Sequence, residues 1–333
     1  MATRIAINGF GRIGRMIPRI AALDEDIEIV AINDLFPIEE LAYLLKYDTV
    51  HRRFGVPVQV KGEYLVVGDR KIKVFAERDP KQLPWKSLGV EVVAECTGIF
   101  RDREKAGMHI EAGAKKVLIS APAVSPDGTF VLGVNGKDYD PGRHDIISIG
   151  SCTTNCLAPV VKVIDDNFGI EKGFLSTVHA YTMDQHLLDS PHKKDSRRGR
   201  SAAENIVPTS TGAAKAIGLV LPQMVGRLDG IAIRVPTPAG SIVDLVVQLR
   251  QDVTADKINN AVKHAASNDM QGILKYTEDY IVSSDILGDP HSSILDEQST
   301  MILENNMVKV LSWYDNEWGF SNRMVDMLKL MMG

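Results

Sequence analysis

The sequence predicts an α/β fold in which a doubly wound, mostly parallel domain precedes an α+β domain with a mostly antiparallel sheet. Three observations support this prediction. A glycine-rich turn joins an apolar strand to a helical segment near the N-terminus, and strand and helix patterns then alternate through the first 150 residues. Beyond them the strands alternate apolar and polar residues, as half-buried antiparallel strands do.

Composition places the chain among ordinary globular proteins and excludes several functional classes. The 333 residues are 44% hydrophobic and 24% charged, enough for two domains with their own cores. The net charge of −5 gives no general attraction to nucleic acid or anionic membranes. Three cysteines cannot build a disulfide framework, and no apolar leader or membrane-length run is present. We therefore expect a cytoplasmic protein.

The glycine-rich turn is the first motif with a chemical meaning. Gly9, Gly11 and Gly14 follow the pattern G-x-G-x-x-G directly after the apolar segment 4–7, and a helical pattern continues to about Leu23. Such glycines allow a tight turn, close approach of the backbone to a pyrophosphate, and close packing of helix on strand. The context predicts a Rossmann-type dinucleotide-binding domain.

An acidic residue stands where this domain would hold a ribose. A second strand at 27–32 ends in Asn33 and Asp34, and Asp34 lies twenty positions after Gly14. An acidic residue at this spacing accepts a hydrogen bond from a ribose 2′-hydroxyl. The alternative is an ordinary turn or capping residue.

The strand–helix alternation continues to about residue 150. Val90–Glu95 and Lys116–Ile119 have the composition of buried strands, and a helix is predicted over about 102–112. Open parallel sheets bind ligands at the carboxyl ends of their strands. We therefore predict that residues 1–150 form the dinucleotide-binding domain.

The second domain is predicted over residues 151–316. Strand-like segments are 173–178, 241–250, 301–303 and 307–313, and the second of these alternates clearly. A closing helix over 317–333 has apolar residues at helical spacing.

Cys152 lies at a predicted junction between a strand and a helix. A helix start offers unpaired N–H groups and the positive end of the dipole, both of which favour a thiolate. The alternative is that Ser151 or Thr153 caps the helix and Cys152 is a packing residue. Cys156 lies one helical turn later and should face the core, and C-x3-C without further ligands argues against a metal site.

A long segment from about Met183 to Val207 lacks clear periodicity. It contains a basic run over 192–200, which alone could be an anion patch or simply a solvated loop. No other part of the chain extends this run into a nucleic-acid footprint.

Four stretches resemble the phosphorylating glyceraldehyde-3-phosphate dehydrogenase family, and the similarity runs from the first strand to the last helix without a long gap. The sequence Ser-Cys-Thr-Thr-Asn-Cys-Leu-Ala-Pro resembles the active-site signature of this family. The other matching stretches are Asn8–Arg15, Thr209–Ala216 and Trp313–Glu317.

The resemblance implies a cofactor site and a set of residues that line it. NAD is the implied cofactor, with NADP as a weaker alternative. Asn316 resembles the residue that holds the nicotinamide carboxamide, or else it caps a helix. The other residues implied by the family match are Arg12, Ile13, Asp34, Arg78 and Ser120.

The resemblance also implies covalent catalysis, with Cys152 as nucleophile and His179 as base. Imidazole titrates near neutrality and suits both thiol activation and proton transfer. Arg234 is implied to bind phosphate, although an arginine in an apolar run could instead pair with Asp184 or Asp244. The implied substrate and phosphate residues are Ser151, Thr153, Thr182, Arg198, Thr211, Gly212 and Arg234.

The chain departs from the family pattern near the cysteine and in the long loop. Ile149 and Gly150 replace the usual Asn and Ala, which could re-aim the turn before Cys152. Ser190-Pro191 replaces the common Leu-Pro, and 193–195 look one residue longer than usual. These changes bear on rate, on cofactor choice and on the path of the loop.

The resemblance therefore predicts an enzyme that oxidises glyceraldehyde 3-phosphate with NAD and inorganic phosphate through a cysteine thioacyl intermediate. The alternatives are an erythrose-4-phosphate dehydrogenase of the same superfamily and a non-catalytic dinucleotide-binding redox sensor. A homotetramer is implied, with no metal, membrane or primary nucleic-acid role.

Overall fold

The structure, a computed structural model, describes residues 2–332 and contains two compact units, each built on its own sheet. The first unit comprises the chain up to Phe130, Lys137–Ser151 and the segment from Phe320 onward. The second comprises Val131–Gly136 and Cys152–Gly319. Within the part of the chain that is described, no helix is long and apolar enough to cross a membrane.

Strands and helices alternate in the first unit as its sequence predicts. In chain order its elements are β1 (Thr3–Asn8), α1 (Arg12–Ala21), β2 (Ile27–Asn33), α2 (Ile38–Lys46), β3 (Val58–Lys61), β4 (Tyr64–Val67), β5 (Arg70–Phe75), β6 (Val92–Glu95), α3 (Arg103–Glu111), β7 (Lys116–Ile119), β8 (Gly128–Thr129) and β9 (Ile146–Ser148).

These strands form a nine-stranded sheet in the order β3-β4-β5-β2-β1-β6-β7-β9-β8. It is parallel from β5 to β8, whereas β3, β4 and β5 form an antiparallel meander at one edge. The register places Asn8 beside both Asn33 and Glu95. The carboxyl ends of the three central strands therefore meet at one edge, where such sheets bind ligands.

Two glycines of the first turn are required by its geometry. Gly9 has φ of +90°, and a Cβ placed there would lie 2.7 Å from the backbone nitrogen of Thr97. A Cβ on Gly14 would lie 2.1 Å from the carbonyl oxygen of Gly9. Only glycine allows the tight turn and the close packing of α1 on the strands.

The second unit contains three helices and seven strands. In chain order they are α4 (Cys152–Phe168), β10 (Ile170–Ala180), β11 (Val207–Ser210), α5 (Ala213–Val220), β12 (Leu228–Val235), β13 (Ser241–Leu249), α6 (Ala255–Ser267), β14 (Leu274–Thr277), β15 (Ser293–Leu303) and β16 (Met307–Tyr314). The chain closes with α7 (Trp318–Leu330).

The seven strands form a sheet in the order β11-β12-β10-β13-β16-β15-β14. The pairs β10–β12 and β14–β15 are parallel and the other four pairs are antiparallel. Along β13, Val243, Leu245, Val247 and Leu249 are buried in one core with residues of α4, α5 and α6. The helices thus cover one face of the sheet, which is the reason for the alternating pattern.

The structure adds elements to the predicted ones and extends one of them. The sequence did not predict the β3–β5 meander, whereas helix α4 begins at Cys152, at the predicted junction between a strand and a helix. The segment from Met183 to Val207 contains only a short 3-10 turn at Ser196–Gly199 before β11. The predicted strand 301–303 is the end of the longer β15.

Candidate active site

Cys152 and His179 come together in the second unit. Cys152 is the first residue of α4, and His179 lies near the carboxyl end of β10, where it is 4% exposed. Cys152 Sγ lies 3.4 Å from His179 Nε2. A thiol and an imidazole in this contact have the geometry of a nucleophile and its base.

Burial opposes charge on both members of the pair. Desolvation raises the pKa of the Cys152 thiol, while Arg234 and the backbone and side chain of Thr153 act in the opposite direction. Burial and then Arg234 lower the pKa of His179 to about 3. Burial therefore opposes the effect of the helix start on Cys152 and favours the uncharged form of both groups.

His179 Nδ1 has two close polar neighbours. It lies 2.6 Å from the carbonyl oxygen of Ala180 and 2.8 Å from Arg234 Nη1. The carbonyl only accepts and pairs with a protonated Nδ1, whereas Arg234 only donates and pairs with an unprotonated Nδ1, so the two contacts favour opposite tautomers. Arg234 Nη1 also donates to the carbonyl oxygen of Ala180 at 3.1 Å. In the tautomer with its proton on Nδ1, Nε2 is unprotonated and can take the thiol proton.

A buried hydroxyl network lies beside the pair. Tyr314 OH is 2.9 Å from Thr153 Oγ1 and 2.8 Å from Thr177 Oγ1, and its ring contacts His179 edge-on with centroids 5.9 Å apart. Tyr314 was not among the predicted site residues. Its position inside the stretch Trp313–Glu317 was the available signal.

The register of two parallel strands places Arg234 at the site. On β12, Arg234 pairs with His179 of β10. The two carboxylates predicted as alternative partners of Arg234 form ion pairs with other side chains. Asp184 pairs with Arg198, and Asp244 pairs with Lys309 at 2.8 Å. Arg234 Nε is buried without a hydrogen bond among the described residues. The contacts of Arg234 thus favour the phosphate role over the structural ion pair.

A second arginine lies near this group. Arg198 forms an ion pair with Asp184, which also accepts a hydrogen bond from Thr182 Oγ1. Asp184 interacts electrostatically with Arg234 as well, and hydrogen bonding and both arginines lower its pKa against the effect of burial. The sequence indicated Asp184 only as a partner of Arg234, and no local pattern predicted that it links Thr182 to Arg198.

The remaining predicted phosphate residues lie at helix starts. Thr211 Oγ1 accepts a hydrogen bond from the N–H of Ala213, and exposed Gly212 is the N-cap of α5. Ser151 directly precedes α4 and is partly buried. Helix starts with small residues leave their N–H groups accessible to an oxyanion.

The turn before Cys152 depends on Gly150, one of the residues that differ from the family pattern. Gly150 has φ of +72°, a conformation that glycine adopts without strain, and its N–H donates to Ser148 Oγ at 2.9 Å. Ile149 is 1% exposed and packs in the core of its unit.

In the first unit, the glycine turn leaves open space at the start of α1. Gly11 is the N-cap of α1 without a side-chain cap, and a Cβ at Gly11 would meet nothing within 4 Å. Ile13 lies in the first turn of the helix, and Arg12 forms a bidentate ion pair with Asp48. The pKa of Asp48 is lowered to about 2 by Arg12 and by backbone N–H groups, against burial.

The other three predicted cofactor residues of this unit lie after strands. Asp34 follows β2, and its carboxylate accepts hydrogen bonds from the N–H groups of Phe10 at 2.6 Å and Phe36 at 3.2 Å. Arg78 is exposed after β5, and Ser120 follows β7, with its N–H donating to Glu95 O. A carboxylate has further lone pairs, so Asp34 remains able to accept from a ribose hydroxyl.

Asn316 belongs to the second unit and is 7% exposed. Its Oδ1 accepts hydrogen bonds from the N–H of Gly240 at 3.0 Å and from Ser241 Oγ at 3.1 Å. Ser241 Oγ in turn accepts from the N–H of Ala180, next to His179. These bonds fix the orientation of the carboxamide, so that its nitrogen is the atom available to a ligand.

Comparison with known proteins identifies the family. Residues 3–103 match the NAD binding domain of glyceraldehyde 3-phosphate dehydrogenase, and residues 151–316 match the C-terminal domain. The chain belongs to this family. The predicted resemblance and fold class are thereby confirmed, and the first match also confirms NAD as the cofactor.

Curated relatives are similar over nearly the whole chain. The chain is 57% identical to a glyceraldehyde-3-phosphate dehydrogenase of Priestia megaterium, covering 98% of this chain and 97% of the relative. It is 58% identical to one of Streptomyces coelicolor, with 98% of both chains covered. It is 56% identical to glyceraldehyde-3-phosphate dehydrogenase 1 of Bacillus subtilis, with 98% and 97% covered. Family membership makes the chain an NAD-dependent oxidoreductase.

Proposed function

We propose that the chain oxidises glyceraldehyde 3-phosphate, with NAD and inorganic phosphate, to 1,3-bisphosphoglycerate. The contact between Cys152 Sγ and His179 Nε2 at 3.4 Å, beside Arg234, is the observation that supports this function best. A nucleophile, a base and an anion-binding guanidinium within one group are what thiol-mediated oxidation of a phosphorylated aldehyde requires.

The reaction begins when His179 Nε2 takes the thiol proton and Cys152 Sγ attacks the aldehyde carbon. As the carbon–sulfur bond forms, the carbonyl π electrons move to oxygen, and His179 returns its proton to this alkoxide to give a hemithioacetal. His179 removes the same proton again when the carbon loses its hydride. NAD, when bound, supplies the hydride acceptor that makes this carbon a thioester. A phosphate oxygen then attacks the thioester, the carbon–sulfur bond breaks, and the acyl phosphate leaves Cys152 as a thiolate. The proton held by His179 restores the thiol.

Arg234 connects phosphate binding to the acid–base pair. Its positive charge is the second cause of the low pKa of His179, after burial. A phosphate dianion on Arg234 would offset that charge and raise the proton affinity of His179. The base thus becomes effective when an anionic ligand is in place. Thr182 and Arg198 are proposed to bind phosphate in the same group, with Ser151, Thr153, Thr211 and Gly212 as N–H and hydroxyl donors.

We propose that Gly9, Gly11, Arg12 and Ile13 receive the pyrophosphate of NAD and that Asp34 binds the adenosine ribose. A carboxylate accepts from a 2′-hydroxyl and repels a 2′-phosphate, so NAD is preferred and NADP is a weaker substitute. Arg78, Ser120 and Asn316 are the other proposed cofactor residues. Ser190 can donate one hydrogen bond to a phosphate, but it does not cancel the charge of Asp34.

We also propose a cytoplasmic homotetramer. The three cysteines are free, which suits a reducing compartment. The sheet face of the second unit opposite its helices exposes large apolar side chains, among them Phe174, Ile231 and Met301. Large exposed apolar patches mark interaction surfaces, which supports self-association through this face.

The test is NADH formation with glyceraldehyde 3-phosphate and with erythrose 4-phosphate, each with and without inorganic phosphate. The proposal expects phosphate-dependent turnover with a higher kcat/KM for the triose phosphate. A preference for the tetrose phosphate would establish the related dehydrogenase activity, and no turnover on either would indicate a non-catalytic protein.

A further inference from the structure

A buried acidic and a buried basic side chain form a pair in the first unit, and the proposed chemistry uses neither. Glu95 ends β6 and is 1% exposed, and His109 on α3 is 0% exposed. Glu95 Oε2 lies 3.1 Å from His109 Nε2. A buried charge of this kind is costly unless every lone pair finds a donor, so the pair calls for an explanation.

The hydrogen bonds determine where the charge and the proton are. Trp85 Nε1–H can only donate, and it donates to His109 Nδ1 at 3.0 Å. His109 is therefore neutral, with its proton on Nε2 directed at Glu95. The Glu95 carboxylate also accepts hydrogen bonds from Asn8 Nδ2 at 2.6 Å and from the N–H and hydroxyl of Thr97. Four donors thus surround one buried negative charge.

These donors belong to two turns at the ligand-binding edge of the sheet. Asn8 ends β1 and directly precedes Gly9, while Thr97 lies in the turn after β6. The turns touch, because a Cβ on Gly9 would come within 2.7 Å of Thr97 N. Glu95 Oε2 holds the first turn through Asn8, and Glu95 Oε1 holds the second through Thr97.

The network continues to the neighbouring strand. Asn8 Oδ1 accepts a hydrogen bond from Asn33 Nδ2 at 2.7 Å. Asn33 binds both backbone groups of Glu77, donating to its carbonyl oxygen at 2.9 Å and accepting from its N–H at 2.8 Å. Since the backbone of Glu77 fixes the amide of Asn33, Asn33 fixes the amide of Asn8. The donor and acceptor atoms are therefore fixed in each hydrogen bond from Glu77 through Asn33 and Asn8 to Glu95.

We propose that Glu95 is a positioning residue for dinucleotide binding. Its carboxylate, oriented by His109, sets the distance between the glycine turn and the Thr97 turn, and so shapes the backbone surface that receives the pyrophosphate. This inference rests on the proposed position of the NAD pyrophosphate at the glycine turn. It assigns Glu95 to cofactor affinity and gives it no part in the chemistry at Cys152.

The variant Glu95→Gln tests the charge while keeping the shape. The new amide NH₂ group must face either the N–H of Thr97 or the donors of Asn8 and His109. None of these donors can become an acceptor without breaking another hydrogen bond. Leaving buried donors unpaired at the turns should raise the Kd for NAD about tenfold or more. The kcat at saturating NAD should stay within about twofold, and the KM for glyceraldehyde 3-phosphate should not change, because Cys152 keeps its surroundings.

A double variant provides the rescue. In Asn8→Asp/Glu95→Gln the carboxylate moves to the other side of the same contact, where it can accept from the new amide, from Asn33 Nδ2 and from His109, whose Nε2 lies 3.3 Å from Asn8 Nδ2. NAD affinity should return to within about threefold of the unmodified protein. Glu91→Gln is the matched control, since Glu91 adjoins the amino end of the same strand, binds Lys115 and Arg4 N, and should leave the Kd unchanged.

A milder pair of variants covers the case in which Glu95→Gln does not fold. Thr97→Ser keeps the hydroxyl that donates to Glu95 and should bind NAD normally, whereas Thr97→Val removes it and should weaken binding. The inference is wrong if Glu95→Gln leaves the Kd for NAD unchanged, if the double variant binds no better than the single one, or if Thr97→Ser weakens binding as much as Thr97→Val. Turnover of glyceraldehyde 3-phosphate by the unmodified protein tests the proposed function separately.

Discussion

At the scale of single residues, two cysteines four positions apart have different environments. Cys152 contacts His179, and Arg234 and Thr153 partly oppose the effect of burial on its pKa. Cys156 is fully buried, its Sγ lies near Ser293 Oγ and Ser312 O, and burial raises its pKa to about 12. Of these two cysteines, only Cys152 has a base, His179, in contact with its sulfur that can remove the thiol proton and leave a thiolate.

We therefore predict that Cys152→Ser abolishes turnover and that Cys156→Ser retains most of it. Iodoacetamide should label Cys152 first, because alkylation requires a thiolate and Cys156 stays protonated. Peptide mapping by mass spectrometry after brief alkylation measures the order. Faster labelling of Cys156, or loss of activity with Cys156→Ser alone, would contradict the assignment of the nucleophile.

Arg234 affects both substrate binding and the pKa of His179. Arg234→Leu should lower kcat/KM for glyceraldehyde 3-phosphate roughly 10- to 100-fold more than for unphosphorylated glyceraldehyde, since a charge-assisted hydrogen bond to phosphate is lost. It should also raise the pKa of His179 from about 3, because one of the two causes that lower it is removed. Steady-state kinetics and NMR titration of the His179 ring measure the two effects.

The lowered pKa of His179 also makes the stability of the fold depend on pH. A histidine whose folded pKa lies below its unfolded value binds its proton more readily in the unfolded state. Its contribution therefore destabilises the fold progressively as pH falls from about 6.5 towards 3.

The prediction for Arg234 has a contradicting outcome. If Arg234→Leu lowers kcat/KM equally for both aldehydes and leaves the His179 titration unchanged, Arg234 does not act at this site.

At the scale of elements, the connection after α2 is held by buried charge and contains a strained residue. Arg19 donates to the carbonyl oxygens of Leu45, His51 and Arg52, while Asp48 accepts from nearby backbone N–H groups. Arg52 has φ of +61°. A non-glycine residue in this left-handed region costs roughly 1–2 kcal/mol.

We predict that Arg52→Gly stabilises the protein by about 0.5–1 kcal/mol. Glycine relieves the strain at positive φ, and its greater freedom in the unfolded chain offsets part of the gain. The matched control is Arg53→Gly, at a neighbouring exposed position that is not among the positive-φ residues, and this variant should lose stability. Chemical denaturation at constant m-value compares the two, and a destabilised Arg52→Gly would show that side-chain contacts of Arg52 outweigh the strain.

The elements also show which features of the fold local sequence patterns predict and which they do not. The Gly9–Gly14 turn and the alternation of β13 are local patterns, so they predicted the two kinds of sheet. The meeting of His179 with Arg234 depends on the register of two strands 55 residues apart, and the Glu95 network depends on the pairing of β1 with β6. No local pattern encodes such a register, so the sequence indicated these side chains only where a family motif included them. Asp184, Tyr314 and Glu95 were therefore missed as site residues.

At the scale of the whole molecule, the sheet of the second unit has one face without covering helices. The register places Phe174, Ile231 and Val246 on this outer sheet face, since Phe174 pairs with Val246 and Ser176 pairs with Ile231. Across β13 and β16 the same face carries the ion pair between Asp244 and Lys309. Phe174 is 72% exposed and shares this face with exposed Ile231 and Met301, and a group of exposed apolar side chains is typical of an interaction surface.

We predict that the proposed homotetramer assembles through this outer sheet face. Phe174→Glu introduces a charge on each copy at the centre of the patch, where burial against a second copy would leave it unpaired. We expect this variant to sediment as a smaller species than the unmodified protein at equal concentration, with an unchanged far-UV circular dichroism spectrum. Leu23→Glu is the matched control, because Leu23 is 85% exposed just beyond the end of α1 in the first unit. If Phe174→Glu and the unmodified protein sediment alike, the copies associate through another surface.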